Sequence, residues 1–214
     1  MVRLESTADV KCEFLVKQME QLTASNKQLS ARVNFLEEFI AGTPDKVERP
    51  LFAAVNMHNF TISSDRKTIT RNSNDTSGWQ SVFSEQTVAA MGNRFTLTLI
   101  NMGTELSVGV AKRGTGTSPA NGLHSNAGSW MLFFASGFTE AFYSNGSYTE
   151  LSDSSSESRT GNGCQLTVRL DPLNELIYFK ANGFLLYTAD IPKPFSDLYA
   201  AVDFHDGNQS VSFI

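Results

Sequence analysis

Three histidines (His58, His124, His205) and two cysteines (Cys12, Cys164) are the side chains of this 214-residue chain best suited to hold a metal or attack a substrate. No histidine has a Cys, His or carboxylate at a metal-ligand spacing, beyond the adjacent pair His205-Asp206. Adjacent residues of a strand point to opposite faces, so that pair is a weak signal. There is no Gly-x-Ser-x-Gly elbow, and RGTGTSPANG (113–122) lacks the Gly-Lys-Ser/Thr of a phosphate loop. Cys164 opens an apolar-alternating run, which predicts a buried, inert thiol. No catalysis, metal or cofactor is therefore expected.

The chemistry that remains is recognition by polar and aromatic residues in loops. Candidates are Asn56 and His58, the segment from Arg71 to Asp75, Lys112 and Arg113, Asn121 and His124, Tyr143 and Tyr148, and His205 with Asp206. Lys112 and Arg113, together with Arg71, suit an acidic or amide-rich peptide. Tyrosine and histidine are better anchors of binding energy than the surrounding serines.

Two kinds of chain position these residues. Residues 1–41 contain no Gly and no Pro, whereas all 15 Gly and all 6 Pro fall from Gly42 onward. The spacing predicts a flexible start (1–9), a helix over 10–41, a polar linker GTPDKVERP (42–50) and a globular domain over 51–214. Within the helix, Cys12, Met19, Asn26, Val33 and Ile40 occupy heptad position a, and Leu15, Leu22, Leu29 and Leu36 occupy d. A seam that narrow wants a partner helix. Leucine at every d and a lone Asn26 at a predict a parallel homodimer through residues 12–40, in which Asn26 meets its own copy. A leucine-zipper transcription factor would need a dense basic helix before the zipper. MVRLESTADVK is not one.

From Leu51 onward the apolar period drops to 2: Phe95, Leu97 and Leu99; Leu106, Val108 and Val110; Leu166, Val168 and Leu170. Asn182-Gly183 between two such runs is the strongest short hairpin signal, and Ser-Asp-Arg (64–66) marks another turn. Twenty of the 23 aromatic residues lie here, enough to fill a sandwich core. The pattern predicts an all-β antiparallel sandwich, with long polar loops at 112–128 and 143–163. Trp79 and Trp130 are expected in its core.

The order of these pieces resembles the SPRY domain family. FTISSDRKTITR is similar to the family's opening hairpin, and SGWQSVFSEQ to the strand after it. MGNRFTLTLINMGTELSVGVAKR resembles its central pair of strands, and SWMLFFASGFTEAFYSNG the strand that begins at a tryptophan. LTVRLDPLNELIYFKANGFLLYTADI is the best match, and LYAAVDFHDGNQSVSFI resembles the close. The family's Tyr-Trp before the central strand is Arg94-Phe95 here, and its usual late proline is Ala200 or Ala201. The resemblance implies a bent two-sheet sandwich that binds short segments of other proteins through its loops.

The formal charge of −5 gives no pull towards nucleic acid or anionic lipid. No apolar run is long enough for membrane insertion. The start carries no apolar signal core, so an intracellular, cytoplasmic or cytoskeleton-associated setting is expected, and the sequons at Asn59, Asn74, Asn145 and Asn208 are read as chance matches. Together these readings predict a non-enzymatic dimeric adaptor that binds a protein or peptide ligand. The rivals are a cytoskeletal or scaffold component, a glycan-binding sandwich, and a ubiquitin-ligase arm that borrows its catalytic module from a partner.

Overall fold

A computed structural model of the chain describes residues 16–23, 26, 47–53, 59–72, 78–115, 122–135, 138–151, 160–191 and 193–214. The chain divides into two compact units, Met1–Asp45 and Lys46–Ile214. In the first, residues 16–23 and Asn26 are helical. The Thr23 hydroxyl donates to the Met19 carbonyl one turn back, at 2.7 Å. Met19 and Leu22, two of the seam positions, are 68% and 64% exposed. Cys12, Leu15, Leu29, Val33, Leu36 and Ile40 lie outside the described residues. The rest of the expected helix over 10–41 lies outside the described residues, and the coiled coil is not displayed.

The described residues of the second unit form thirteen strands. They are β1 (Phe60–Ile62), β2 (Thr68–Arg71), β3 (Gln80–Thr87), β4 (Arg94–Asn101), β5 (Glu105–Lys112), β6 (Ser129–Ala135) and β7 (Phe138–Ser144). After these come β8 (Ser147–Glu150), β9 (Cys164–Asp171), β10 (Leu176–Ala181), β11 (Phe184–Asp190), β12 (Leu198–Phe204) and β13 (Ser210–Phe213). A single 3-10 turn, Leu123–Ser125, precedes β6. Seven strands form one antiparallel sheet in the order β1-β2-β13-β4-β9-β10-β11. Six form the other, in the order β3-β12-β5-β6-β7-β8.

Period-2 patterning builds the core. On β4, Phe95, Leu97 and Leu99 are buried while Arg94 and Ile100 face out. On β12, Leu198, Ala200, Val202 and Phe204 join one large apolar cluster with β4, β9, β10 and β13. Trp130 sits in that cluster, as expected of a large indole in an alternating strand. Cys164 is also buried in it, and burial pushes its thiol pKa up despite an opposing backbone hydrogen bond at Asn182. Ala200 and Ala201 are strand residues: Ala200 pairs with Val110, and its N–H donates to the Ser84 hydroxyl at 3.0 Å. Proline at 200 would have no N–H to give.

The turns follow their chemistry. Asn182 and Gly183 have φ of 49° and 86° and join β10 to β11, with Ala181 opposite Phe184. Asp65 caps the β1–β2 turn by accepting from the Ser63 hydroxyl at 2.6 Å and the Lys67 N–H at 3.1 Å. A third hairpin corrects the expected loop over 143–163. Asn145 and Gly146 (φ 52° and 84°) join β7 to β8, so both tyrosines of that stretch stand on strands. The sequence carries the same Asn-Gly signal there as at 182–183. The polar residues around it masked the short β8, all four residues of which are exposed.

Candidate functional site

The side chains of β12 alternate between the sandwich interior and the opposite, outer face of the six-stranded sheet. Leu198, Ala200, Val202 and Phe204 face inward, which leaves Tyr199, Ala201 and Asp203 on the outer face. Register extends the rows across the sheet. Asp203 stands beside Ser81 of β3 and Ser107 of β5, and Ser107 beside Phe133 of β6. The next row runs from Phe83 through Ala201, Gly109 and Met131 to Tyr143 and Tyr148.

The 3-10 turn closes over this face. Leu123 is fully buried against Ala111, Met131 and Ala201, with Phe83 at the margin. Burying one leucine contributes on the order of 2 kcal/mol and pins the turn. Ser129 reinforces it, donating to the Asn126 carbonyl at 2.7 Å. The next residue, His124, is thereby carried onto Asp203, a carboxylate with no exposure at all. Asp203 Oδ2 accepts from the His124 N–H at 2.9 Å and stands 3.1 Å from His124 Nδ1, while the Ser81 hydroxyl donates to Oδ1. The approach is close enough to exclude a side chain at Gly122. A Cβ there would lie 2.6 Å from the imidazole and 2.7 Å from Asp203 Oδ2.

Aromatic rings surround the imidazole. Trp79 meets it edge-on with ring centroids 4.5 Å apart, Tyr143 lies at 4.7 Å and Phe133 at 5.5 Å. Trp79 also meets His205 at 4.9 Å, and Tyr143 meets Tyr148 at 5.4 Å. The cluster grades from a buried base to an open top. His124 and Trp79 are buried, Phe133 and Tyr143 half-buried, the His205 side chain 38% exposed and Tyr148 57% exposed. Such a surface offers large contact area with few rotatable bonds, and polar tips that can hydrogen-bond a ligand.

His205 is steered from its other side. Its Nδ1 lies 3.2 Å from Asp206 Oδ1 and 3.5 Å from Glu105 Oε2. Asp206 itself is committed to the scaffold, because Oδ2 accepts from the Thr104 N–H at 2.5 Å and the Thr104 hydroxyl at 2.6 Å. Partial burial would raise its pKa. The hydrogen bonds from Thr104, His205 and Glu105 outweigh that and hold the carboxyl below its ordinary range.

The expected loop cations are not where the sequence suggested. Arg71 ends β2 and is completely buried, its Nη1 donating to the Phe204 carbonyl at 2.7 Å. The reason is the period of the strand. Ile69 and Arg71 share the buried face of β2. Arg113 is folded down on its own sheet, with its guanidinium 4.1 Å over the Tyr199 ring and Nη2 donating to the Ser84 carbonyl at 2.8 Å. Lys112 pairs with Asp197 at 3.5 Å on the surface. Arg71 bonds to Phe204 and Arg113 stacks on Tyr199, five strand residues away, or about 17 Å. The three cations therefore cannot grip one ligand group. His124 is likewise corrected from an exposed loop residue to a buried one. Asn56, His58, Asp75 and Asn121 lie outside the described residues.

Trp79 was expected in the core. It is buried, but on the outer sheet face rather than between the sheets. Asp203 and Phe133 were missed altogether. A carboxylate between Val202 and Phe204 in the run LYAAVDF was the available signal. No group of His, Cys, Asp and Glu able to hold a metal occurs among the described residues, and no described helix is long and apolar enough to cross a membrane.

No family model matches the chain, and no curated protein matches it. Solved structures do. The PSpry domain of TRIM65 aligns with a TM-score of 0.57 at 15% identity, over 78% of this chain and 90% of that one. A human SPRY domain aligns at 0.54 and 12% identity, over 72% and 94%. The SPRY domain of human HERC1 aligns at 0.52 and 16% identity, over 72% and 91%. At such identities the likeness is one of fold, and it agrees with the two antiparallel sheets: this chain carries a sandwich of the SPRY type.

Proposed function

We propose that the chain is a non-enzymatic adaptor whose sandwich binds a peptide or loop of a partner protein. The docking surface is the outer face of the six-stranded sheet, around Trp79, Phe133, Tyr143, Tyr148 and His205. One observation carries this reading: an aromatic and histidine surface opens to solvent above a fixed, buried His124–Asp203 pair. Buried polar chemistry beneath exposed rings gives a preorganised platform, and preorganisation lowers the entropic cost of binding. SPRY-type sandwiches as protein-binding modules fit the same role.

The N-terminal helix supplies the second half of the proposal. Exposed Met19 and Leu22 suit pairing with a second copy, in a parallel dimer with Asn26 in register. Two sandwiches per assembly gain avidity of about 10²–10⁴ where both engage one target. Leu22→Pro then yields monomers by sedimentation with the thermal midpoint of the sandwich unchanged; an unchanged dimer rejects the pairing. An intracellular location, cytoplasmic or on the cytoskeleton, is part of the same proposal.

The binding test is selection from a displayed peptide library with the full chain, repeated with Tyr148→Ala and His205→Ala. We expect enriched sequences whose affinity falls about tenfold or more in each variant. Peptides that bind both variants as tightly as the original chain would move the site elsewhere.

A further inference from the structure

The charge of the six-stranded sheet says what kind of segment its outer face takes. Its six strands carry five Asp or Glu residues and one Lys or Arg, Lys112. Lys112 ends β5, at the opposite end from Glu105, and is paired there with Asp197. No strand of the sheet brings a Lys or Arg to the aromatic cluster.

Carboxylates border that cluster on two sides. Tyr148 and Glu150 are two residues apart on β8, so they share its outer face, and both are exposed. The Glu150 side chain belongs to no ion pair or hydrogen bond among the described residues. On the other side, Glu105 and Asp206 share the imidazole of His205, at 3.5 Å and 3.2 Å. One imidazole cannot neutralise two carboxylates, so negative charge remains there whichever form His205 takes. Between these places, beside Phe133, the Ser107 hydroxyl is fully buried and has no hydrogen-bond partner. The face thus still lacks a polar partner at its base.

The chain itself shows how this face holds a cation. Arg113 lays its guanidinium 4.1 Å over the ring of Tyr199, an outer-face residue of β12. Its Nη2 donates to the Ser84 carbonyl at 2.8 Å and to the Glu85 carbonyl at 3.3 Å. A flat guanidinium on a tyrosine, with oxygens at its edge, is the arrangement that Tyr148 and Glu150 leave open. Arginine suits it better than lysine, because its planar group stacks on a ring while its edge still donates.

We propose that the partner segment bound on the outer face bears arginine. The guanidinium stacks on Tyr148 and reaches the Glu150 carboxylate, and the negative charge around His205 attracts further basic residues of the same segment. The proposal rests on the outer-face reading and gives the partner its chemistry. It is opposite in sign to the acidic ligand that Arg71, Lys112 and Arg113 suggest in the sequence.

The probe is a displayed library of random peptides, selected on the full chain at low salt. We expect binders enriched in Arg, each held more weakly by Tyr148→Ala. The tightest is then synthesised with a fluorescein label, alongside versions with each Arg changed to Gln, and followed by anisotropy. Loss of the key Arg should cost about tenfold, the sum of a cation–ring contact and an exposed ion pair. Glu150→Gln should weaken the Arg peptide about threefold and leave the Gln peptide unchanged, which couples the two groups directly. Glu150 is exposed, so this change does not endanger folding. Binders that weaken in Tyr148→Ala but are not enriched in Arg would overturn the proposal and leave the outer-face reading standing. So would an Arg peptide bound equally well by Glu150→Gln. Binders indifferent to both Tyr148→Ala and His205→Ala, or a selection that enriches nothing, would overturn both.

Discussion

Replacing Asp203 tests whether the buried pair organises the outer face. The carboxylate has three donors around it: the His124 N–H at 2.9 Å, His124 Nδ1 at 3.1 Å and the Ser81 hydroxyl. Ser81 is half-buried and can turn to water, so its loss is cheap. His124 is 6% exposed and cannot. Asp203→Ala therefore orphans two donors in a buried place, at about 1–3 kcal/mol each. Against that stands the relief of removing a fully buried carboxylate, which itself costs several kcal/mol to desolvate. Breaking a buried network usually outweighs such relief, so we expect a net loss of about 2–5 kcal/mol. Asp203→Asn keeps an acceptor for His124 and presents its amide to the Ser81 oxygen, so its loss should stay near 1 kcal/mol. The difference between the two variants is the informative quantity, because both remove the charge. Urea unfolding with matched m-values measures it. A gap of about 3 kcal/mol corresponds to roughly 6–12 °C in thermal midpoint for a domain of this size. Equal stabilities for the Ala and Asn variants would refute the reasoning, since the hydrogen bonds would then contribute nothing beyond the charge.

Two further predictions follow from the same region. Gly122→Ala places a Cβ within 2.6 Å of the His124 ring and 2.7 Å of Asp203 Oδ2. It should cost about 1–3 kcal/mol and weaken binding on the outer face, read by urea unfolding and by the selected peptides. Asp206→Asn should be less stable than the original chain at neutral pH. The folded carboxyl titrates below its unfolded counterpart. Its contribution is therefore present above the unfolded value and lost as pH falls through the folded one. The stability gap between the two chains should close in acid; a gap constant from pH 7 down to pH 2 would argue against a charged Asp206 anchor.

The strands that fill the core were legible because burial on one face imposes period 2. Phe95, Leu97 and Leu99 of β4, and Leu166, Val168 and Leu170 of β9, needed nothing but their own spacing. The Asn182-Gly183 turn was legible for a local reason as well, since both residues accept positive φ. The hairpin at Asn145-Gly146 was equally local. It was missed because β8 buries nothing, which removes the hydrophobic half of the signal.

The site was far less legible. Solvated loop and buried strand end look alike when the residue is Arg71 or His124. The same period that buries Ile69 buries Arg71, and the Phe204 carbonyl opposite accepts from its guanidinium there. Lys112 and Arg113 are adjacent cations in sequence. Nothing in that adjacency says that Tyr199, from a strand more than eighty residues later, will hold one guanidinium flat.

What the sequence determined alone is what short-range physics determines. It set the strand faces and the turn at Asn182-Gly183. What the tertiary structure decided is everything that depends on partners distant in the chain. His124 reaches Asp203 only because β12 lies beside β5 and a short turn folds across both. Trp79, Phe133, Tyr143 and His205 come from four separate stretches, and strand order alone sets them side by side. Hydrogen bonding between neighbouring strands fixes that order, and no local property of the residues records it.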